Sequence, residues 1–448
     1  MNDNDRDLRT SFTDRFSFRL DPFQVSAMDA LDRGSSVLVA APTGAGKTIA
    51  GEYAVHRAIA HGVKVFYTTP IKALSNQKYQ ELVEWLGHEA VGLVTGDVNI
   101  NSEAQVVVMT TEILRNMMYA DSPTLYSLGY VVMDEVHYLA DRMRGPVWEE
   151  IIIHLPRSVQ LVALSATVSN VEEFGAWIEE VRGSTEVIVS ERRPIPLWQH
   201  VLSDHELIDV FLDEDGNATP SHGPFAHRRY REVNPVLAEI GKDTWNDVPT
   251  GHHYGGKRHR RGRKGGRSGR RGYRDRRNDQ RGPHRSNRHD QRMRPRAMSR
   301  ADVVFLLEKR GMLPAIFFIF SRSGCDQAVA QLMRAHVRLT DDAERSQIKE
   351  AFRAALGDLR ADDYDALGIE RIERAAMNGL AAHHAGQLPA VKAVIEDLFA
   401  RGLVKVVCAT ETLALGINMP ARTVVLDKLT KFNGTEHAKI TPGEYTQL

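Results

Sequence analysis

Cysteine is nearly absent from this sequence, since Cys325 and Cys408 are the only two among 448 residues. They offer at most one disulfide and show no metal-type spacing, which argues against a disulfide-stapled fold. No stretch approaches the run of about 18 uncharged apolar residues that marks a transmembrane helix. The polar, acidic start at residues 1–7 is unlike a secretory signal peptide. We therefore expect no membrane partner, and a reducing cytoplasm as the location.

The sequence also lacks a net charge, because 58 basic residues balance 58 acidic ones. The charges are segregated, however: residues 257–300 hold 19 Lys or Arg against three Asp. Residues 257–298 have almost no aliphatic side chains to bury, so we expect them to be a disordered Arg/Gly-rich insertion. Their charge suits nucleic-acid phosphates and predicts salt-sensitive binding. The alternative is a solvated linker whose charge only aids solubility.

Strand and helix patterns alternate on both sides of this insertion and predict two α/β domains, at residues 16–197 and 299–448. Residues 1–15 are polar, and we interpret them as a disordered tail. Residues 198–256 read as a linker with a hairpin near residues 211–217. A charged helical insertion is expected at residues 341–377 of the second domain.

A glycine-rich loop in the first domain follows a short apolar strand and precedes an apolar-periodic helix. That context is typical of a phosphate-binding loop, in which backbone N–H groups curl around a triphosphate. Lys47 would place its charge on the β- and γ-phosphates, and the Thr48 hydroxyl is a natural Mg²⁺ ligand. The candidate ATP-binding residues are Pro42, Thr43, Gly44, Ala45, Gly46, Lys47 and Thr48.

Two adjacent acids, Asp134 and Glu135, follow a second apolar strand. Acids in such a place are costly unless something requires them. In a phosphate-loop ATPase, Asp134 would hold Mg²⁺ and Glu135 would orient the attacking water. The catalytic candidates are therefore Lys47, Asp134 and Glu135, and the Mg²⁺ candidates are Thr48 and Asp134.

Phe18, Phe23 and Gln24 lie upstream of the phosphate loop, where an aromatic ring and an amide could stack on and hydrogen-bond an adenine. The alternative is an ordinary helix start, with Asp21 as the cap and Pro22 at the first position. Both interpretations can hold together.

Small polar and hydroxyl residues end several predicted strands, which is where an open parallel sheet binds ligands. Such residues could hold a phosphodiester backbone, or they could simply cap the helices that follow. Ser165 and Thr167 end another strand and could couple loss of the γ-phosphate to the neighbouring domain. In the second domain, His383 and His384 are adjacent, so their side chains diverge and a shared metal ion is not expected.

Taken in order, these residues resemble superfamily-two DExH-box helicases, and more narrowly the superkiller-type branch that includes exosome-associated RNA helicases and bacterial HelY-type proteins. The resemblance covers nearly all the chain except the tail and residues 200–300. Its segments are Phe18 with Phe23-Gln24, the phosphate loop, Pro70 to Gln77, Thr95-Gly-Asp97, Thr111-Glu112, Asp134-Glu-Val-His137, Ser165-Ala-Thr167, Phe320-Ser-Arg322, His383-His-Ala-Gly386 and Ala409 to Pro420.

The resemblance implies two tandem RecA-like domains with ATP and Mg²⁺ between them and a single strand of RNA, or of DNA, across both. It implies ATP-driven 3′→5′ translocation, and RNA-degrading nucleases as partners. Thr69, Pro70, Lys72 and Thr111 would grip the strand from the first domain and Thr410 from the second. Gly416 and Asn418 would couple the nucleic-acid strand to the ATP cleft.

The family pattern continues into an arginine-rich stretch that this chain, which ends at Leu448, does not reach. On that ground we expect an N-terminal part of a longer protein, with an incomplete second domain. Two alternatives to an RNA helicase stay open: an ATP- and RNA-binding module without unwinding activity, and a DNA-repair helicase of the same superfamily.

Overall fold

The fold is built on two largely parallel β-sheets. The structure, a computed structural model, describes residues 3–140, 145–166, 170–203, 205–213, 215–219, 232–246, 298–357, 359–413, 419–432, 437–441, 444–445 and 448. Within these ranges the α/β class and the pair of parallel sheets predicted from the sequence are confirmed.

The first sheet has eight strands, and every neighbouring pair is parallel except the edge pair β3–β4. Its spatial order is β4-β3-β5-β2-β6-β7-β1-β8. The strands are β1 Ser36–Ala40, β2 Lys64–Thr69, β3 Val91–Val94, β4 Asn99–Ile100, β5 Val106–Thr110, β6 Leu128–Met133, β7 Gln160–Ser165 and β8 Thr185–Val189.

Seven helices accompany this sheet in the described residues: α1 Asp3–Thr13, α2 Pro22–Asp32, α3 Thr48–His61, α4 Lys72–Leu86, α5 Thr111–Tyr119, α6 Gly145–His154 and α7 Val171–Arg182. The strands bury both faces, as parallel sheets do. In β1, Val37 and Val39 pack into one hydrophobic core while Leu38 and Ala40 pack into the other. This double burial explains the unbroken apolar runs of the sequence.

The prediction of a disordered tail over residues 1–15 is wrong for the part that forms α1. Phe12 is fully buried, with its ring centroid 5.1 Å from that of Tyr53 and 5.4 Å from that of Phe16. Arg9 reaches α2 and contacts Asp29 and Asp32, the latter at 3.2 Å. One buried aromatic and one paired arginine thus dock a helix whose composition is otherwise polar.

Replacing Phe12 with alanine is expected to lower the free energy of unfolding by about 3 kcal/mol, because it empties a fully enclosed aromatic site. Urea denaturation followed by tryptophan fluorescence measures the change. Phe18→Ala is the matched control, since Phe18 is 58 % exposed and its loss should cost under about 0.5 kcal/mol. Equal midpoints for the two variants would contradict the docking of α1.

The described residues between 198 and 246 belong to a separate unit. In its described part, β9 His200–Ser203 and β10 Glu206–Asp209 form an antiparallel hairpin. Strand β11 Phe211–Leu212 pairs with β12 Glu232–Val233, and helix α8 spans Pro235–Asn246. The hairpin expected near residues 211–217 is present as a tight turn: Leu212 bridges Ala218, and Gly216 takes a φ of +77°. The basic insertion lies outside the described residues.

The second sheet has four parallel strands in the order β14-β15-β13-β16. The strands are β13 Ala315–Phe318, β14 Leu380–His383, β15 Val406–Ala409 and β16 Thr423–Leu426, and a separate antiparallel pair is β17 Thr430–Phe432 with β18 His437–Lys439. The helices are α9 Arg300–Lys309, α10 Arg322–Arg334, α11 Asp342–Leu356, α12 Ala361–Ala366, α13 Ile369–Ala376 and α14 Pro389–Ala400. Helices α11 to α13 form the insertion expected at residues 341–377. In the part of the chain that the structure describes, none of the helices has the length and hydrophobicity needed to cross a bilayer.

Candidate functional site

The glycine-rich loop runs from the end of β1 at Ala40 to the start of α3 at Thr48. Gly44 and Gly46 both adopt a φ of +82°, in the left-handed region that favours glycine. A Cβ on Gly44 would meet no atom within 4 Å, so the space above it is open. Pro42 is buried and Thr43 is exposed. The loop therefore has the backbone shape and the free volume of a phosphate cradle.

Lys47 lies beside the acidic pair predicted to work with it. Lys47 is buried, and its Nζ lies 3.4 Å from Glu135 Oε2. Asp134 and Glu135 directly follow β6, which is separated from β1 only by β7. The strand order thus brings together two motifs that are 88 positions apart in the chain.

The backbone of Glu135 is strained, with a φ of +51° in the left-handed region. A non-glycine residue held there costs on the order of 1–3 kcal/mol, and such residues cluster at functional sites. Asp134 Oδ1 accepts a hydrogen bond from the Glu135 backbone N–H at 2.8 Å. The arrangement directs the Glu135 side chain toward Lys47 and His137, whose Nδ1 lies 3.2 Å from Glu135 Oε2.

The two carboxyl groups have opposite pKa shifts. Burial, aided by the negative charge of Glu135, raises the pKa of Asp134. Burial acts on Glu135 in the same direction, but His137 and the charge of Lys47 outweigh it and lower the pKa of Glu135. Glu135 is therefore ionised at neutral pH and forms an ion pair with Lys47.

The donor set fits ATP with Mg²⁺. Thr48 supplies a hydroxyl and Asp134 a carboxylate, the hard oxygen ligands that Mg²⁺ prefers. Ser165 ends β7 beside the loop, and its carbonyl accepts from the Ala41 N–H at 3.1 Å. Its Oγ is buried and has no hydrogen-bond partner among the described residues. Thr167, which was predicted to act with Ser165, lies outside the described residues.

The residues predicted to bind adenine have different environments. Phe18 is exposed and packs against Phe16, with ring centroids 5.4 Å apart. Phe23 belongs to the hydrophobic core, where its ring is not offered to a ligand. Gln24 is 3 % exposed and holds the phosphate loop: its Nε2 donates to the Gly46 carbonyl at 3.0 Å. Its Oε1 accepts from the Asp21 N–H at 2.8 Å.

Gln24→Leu is therefore expected to weaken the binding of all nucleoside triphosphates by about tenfold, because the loop loses a buried polar anchor worth about 1–1.5 kcal/mol. Competition between ATP and GTP for a fluorescent nucleotide measures the effect. Equal losses for both nucleotides fit the observed contacts. A loss confined to ATP would instead support adenine recognition by Gln24.

The predicted nucleic-acid residues of the first domain meet at the ends of β2 and β5, but they do not act alike. Thr111 Oγ1 donates to the Thr69 carbonyl at 3.1 Å, and Thr69 Oγ1 shares a hydrogen bond with Ser75 Oγ at 2.7 Å. Both threonines are buried, as is Pro70, so the expectation that these hydroxyls grip a strand directly is not supported. They shape the edge of the sheet instead.

Lys72 is the candidate in this group with an exposed side chain. Its Nζ contacts Asp97 Oδ1 at 2.9 Å, and Asp97 also accepts from Thr95 Oγ1 at 2.9 Å. The hydrogen bond from Lys72 lowers the pKa of Asp97. The Thr95-Gly-Asp97 turn thus reaches the same surface as the start of α4.

In the second domain, Thr410 follows β15, is partly exposed, and its Oγ1 lies 2.9 Å from Thr412 Oγ1. Gly416 and Asn418, the predicted coupling residues, lie outside the described residues. His383 and His384 contact different acids: His383 Nε2 lies 2.7 Å from Glu396, and His384 Nε2 lies 3.2 Å from Asp326. Their side chains diverge, as their adjacency requires.

Sequence reasoning missed Tyr67 and Lys78. Tyr67 donates its hydroxyl to Asp134 Oδ2 at 2.9 Å, and Lys78 lies over the Tyr67 ring. One signal was available, because a tyrosine in a buried strand needs a hydrogen-bond partner.

Comparison with known proteins agrees with this geometry. Residues 21–174 match the DEAD/DEAH box helicase family. The chain is 52 % identical over 441 residues to a protein named probable helicase HelY from Mycobacterium leprae, covering 98 % of this chain and 44 % of that protein. It is 44 % identical to the DExH-box ATP-dependent RNA helicase DExH15 of Arabidopsis thaliana, covering 97 % of this chain and 36 % of the relative.

It is also 38 % identical over 446 residues to the antiviral helicase SKI2 of Saccharomyces cerevisiae, covering 96 % of this chain and 34 % of the relative. The chain thus spans less than half the length of each of these relatives. Because at least 96 % of this chain is covered in each of these comparisons, the match nevertheless extends over both sheets. This chain contains a DEAD/DEAH box helicase domain and is homologous over almost its whole length to the DExH helicases of the HelY and SKI2 type.

Proposed function

We propose that this chain is the ATP-hydrolysing part of an RNA helicase that moves 3′→5′ along a single strand. The observation that carries the proposal is the contact between Lys47 and Glu135 beside Asp134, because it joins a phosphate-binding cation to a water-orienting carboxylate. Several relatives are named ATP-dependent RNA helicases, which supports RNA as the strand.

Each residue of the site has a proposed role. The loop N–H groups and Lys47 bind the phosphates, and Glu135 orients a water for attack on the γ-phosphorus. Thr48 and Asp134 would hold Mg²⁺, which when bound neutralises negative charge on the phosphates. Ser165, whose carbonyl accepts from the Ala41 N–H beside the loop, couples loss of the γ-phosphate to the neighbouring domain.

The finer parts of the proposal concern the strand, the partners and the location. Lys72 and Thr410 contact the phosphodiester backbone, and the basic segment at residues 257–298 adds sequence-independent attraction. RNA-degrading nucleases are the proposed partners. A reducing cytoplasm is the proposed location, and it suits the two buried free thiols of Cys325 and Cys408.

Steady-state ATP hydrolysis, measured with and without single-stranded RNA or DNA of one sequence, tests the proposal. We expect RNA to raise the rate more than DNA does. Greater stimulation by DNA would point to a DNA-repair helicase. ATP binding without turnover, with RNA still bound, would leave an ATP- and RNA-binding module and would contradict the helicase proposal for this chain.

A further inference from the structure

A tyrosine that lies outside the nucleotide-binding motifs fixes the carboxylate of Asp134. Tyr67 is fully buried in β2, and its hydroxyl donates to Asp134 Oδ2 at 2.9 Å. The other oxygen, Oδ1, accepts from the Glu135 N–H at 2.8 Å. With one donor on each oxygen, the carboxylate has a single orientation. Tyr67 therefore sets the direction in which Asp134 presents its remaining lone pairs.

Lys78 of α4 holds Tyr67 in place. Its Nζ lies 5.3 Å from the centroid of the Tyr67 ring, within the range of a cation–π contact. Lys78 is itself 7 % exposed and is paired with Glu52 Oε1 at 3.3 Å and Glu81 Oε2 at 2.7 Å. A buried ammonium needs such partners, so the position of Lys78 is closely determined.

Helix α3 also packs closely against Tyr67. Gly51 in α3 faces the sheet, and a Cβ there would lie 3.1 Å from Tyr67 Cε2 and 3.0 Å from Val132. Glu52, the next residue, lies one helical turn after Thr48, the other Mg²⁺ candidate. The tyrosine is thus held between the helix that follows the phosphate loop and the helix that carries Lys78.

We propose that Tyr67 and Lys78 are positioning residues that orient Asp134 for Mg²⁺ and connect it to α4. The inference deepens the proposed function and rests on it. Helix α4 begins at Lys72, whose exposed side chain lies on the surface proposed for the nucleic acid. A strand that engages Lys72 acts on α4, and through Lys78 and Tyr67 it acts on the affinity of Asp134 for Mg²⁺.

The first test is Tyr67→Phe, which removes only the hydroxyl. Binding of a fluorescent ATP analogue is measured across a Mg²⁺ titration and again in EDTA. We expect the half-saturating Mg²⁺ concentration to rise at least about tenfold, as it does when other outer hydrogen bonds to metal ligands are lost. Nucleotide affinity in EDTA should stay unchanged.

Tyr53→Phe is the matched control, because Tyr53 is equally buried and donates to Asp32 at 2.6 Å. It should keep the wild-type Mg²⁺ dependence. A wild-type Mg²⁺ dependence in Tyr67→Phe would overturn the positioning role while leaving the proposed function intact, and so would an equal loss of binding in EDTA. If nucleotide binding by the wild type did not depend on Mg²⁺, both the positioning role and the proposed function would be overturned.

The second test concerns the connection through α4. By linkage, RNA must shift the affinity for Mg²⁺ by the same factor as Mg²⁺ shifts the affinity for RNA. We expect a single-stranded oligouridine to lower the half-saturating Mg²⁺ concentration of wild type about fivefold, within the usual range of such couplings. Lys78→Met should abolish the shift, and Lys78→Arg should restore it.

If Lys78→Met does not fold, the double variant Lys78→Met/Glu81→Gln serves in its place, because it also removes one of the two negative charges that Lys78 balances. A full RNA-dependent shift in either variant would overturn the connection through α4. Absence of the shift in wild type would overturn it as well, even where Tyr67→Phe behaves as expected.

Discussion

Lys47→Ala should reduce ATP turnover by on the order of 10³ or more and weaken nucleotide binding, because it removes the buried cation that faces the phosphates. Lys47 is 6 % exposed and has Glu135 at 3.4 Å. Without the lysine, the ionised glutamate would face a triphosphate after losing its cationic partner. Phosphate release, measured at saturating ATP with and without RNA, gives the effect.

The matched control is Lys64→Ala. It removes a lysine from the same sheet, but at the start of a strand, whereas the phosphate loop follows the end of one. Lys64 begins β2 and pairs with Glu103 at 3.2 Å. Its loss should leave turnover within about twofold, since exposed ion pairs contribute little. If Lys47→Ala hydrolysed ATP as fast as Lys64→Ala, the assignment of the glycine-rich loop as the phosphate-binding loop would be wrong.

Glu135→Gln should lower the rate of ATP hydrolysis by on the order of 10³, because an amide cannot polarise a water as a carboxylate does. Nucleotide should stay bound. The structure also predicts the direction in which the affinity for ATP changes. Glu135 neutralises Lys47 before ATP arrives, so its replacement frees the lysine and removes a negative charge beside the phosphates. ATP affinity should therefore be equal to wild type or higher.

Single-turnover hydrolysis and equilibrium binding, measured on the same preparation, separate the two effects. Glu150→Gln provides a comparison, because it makes the same chemical change at a carboxylate of α6, outside the proposed site. Normal turnover by Glu135→Gln would mean that another group orients the water. Loss of binding together with turnover would mean that Glu135 maintains the loop.

The geometry of the candidate nucleotide site could be predicted from the sequence because it depends on short, local patterns. A strand, a glycine loop and a helix follow one another without interruption, so the positive φ of Gly44 and Gly46 is implied by the glycines themselves. Asp134 and Glu135 are conspicuous in the sequence because acidic residues directly after an apolar strand are costly to bury unless the site uses their charge. The α/β class follows from the alternation of the two periodicities.

The remaining features depend on contacts between distant segments. Thr69 and Thr111 have the residue types of a strand-binding surface, yet their hydroxyls are used within the protein, and only the packing of β2 against β5 determines this. Helix α1 depends on Phe12 and Arg9 meeting partners from α2 and α3. Tyr67 and Lys78 become informative only when Asp134 is known to lie between them and the phosphate loop.

The position of β1 between β7 and β8 also bears on how the protein is made. The glycine loop is synthesised early, but β7 and β8 begin only at Gln160 and Thr185. A nascent chain that ends at α6 contains the whole loop and neither of the strands that flank β1. Such non-local pairing folds slowly, and the apolar strand stays open to wrong partners until its neighbours emerge from the ribosome. Nucleotide can stabilise only the finished sheet, so ATP would favour the mature domain over its own folding intermediates.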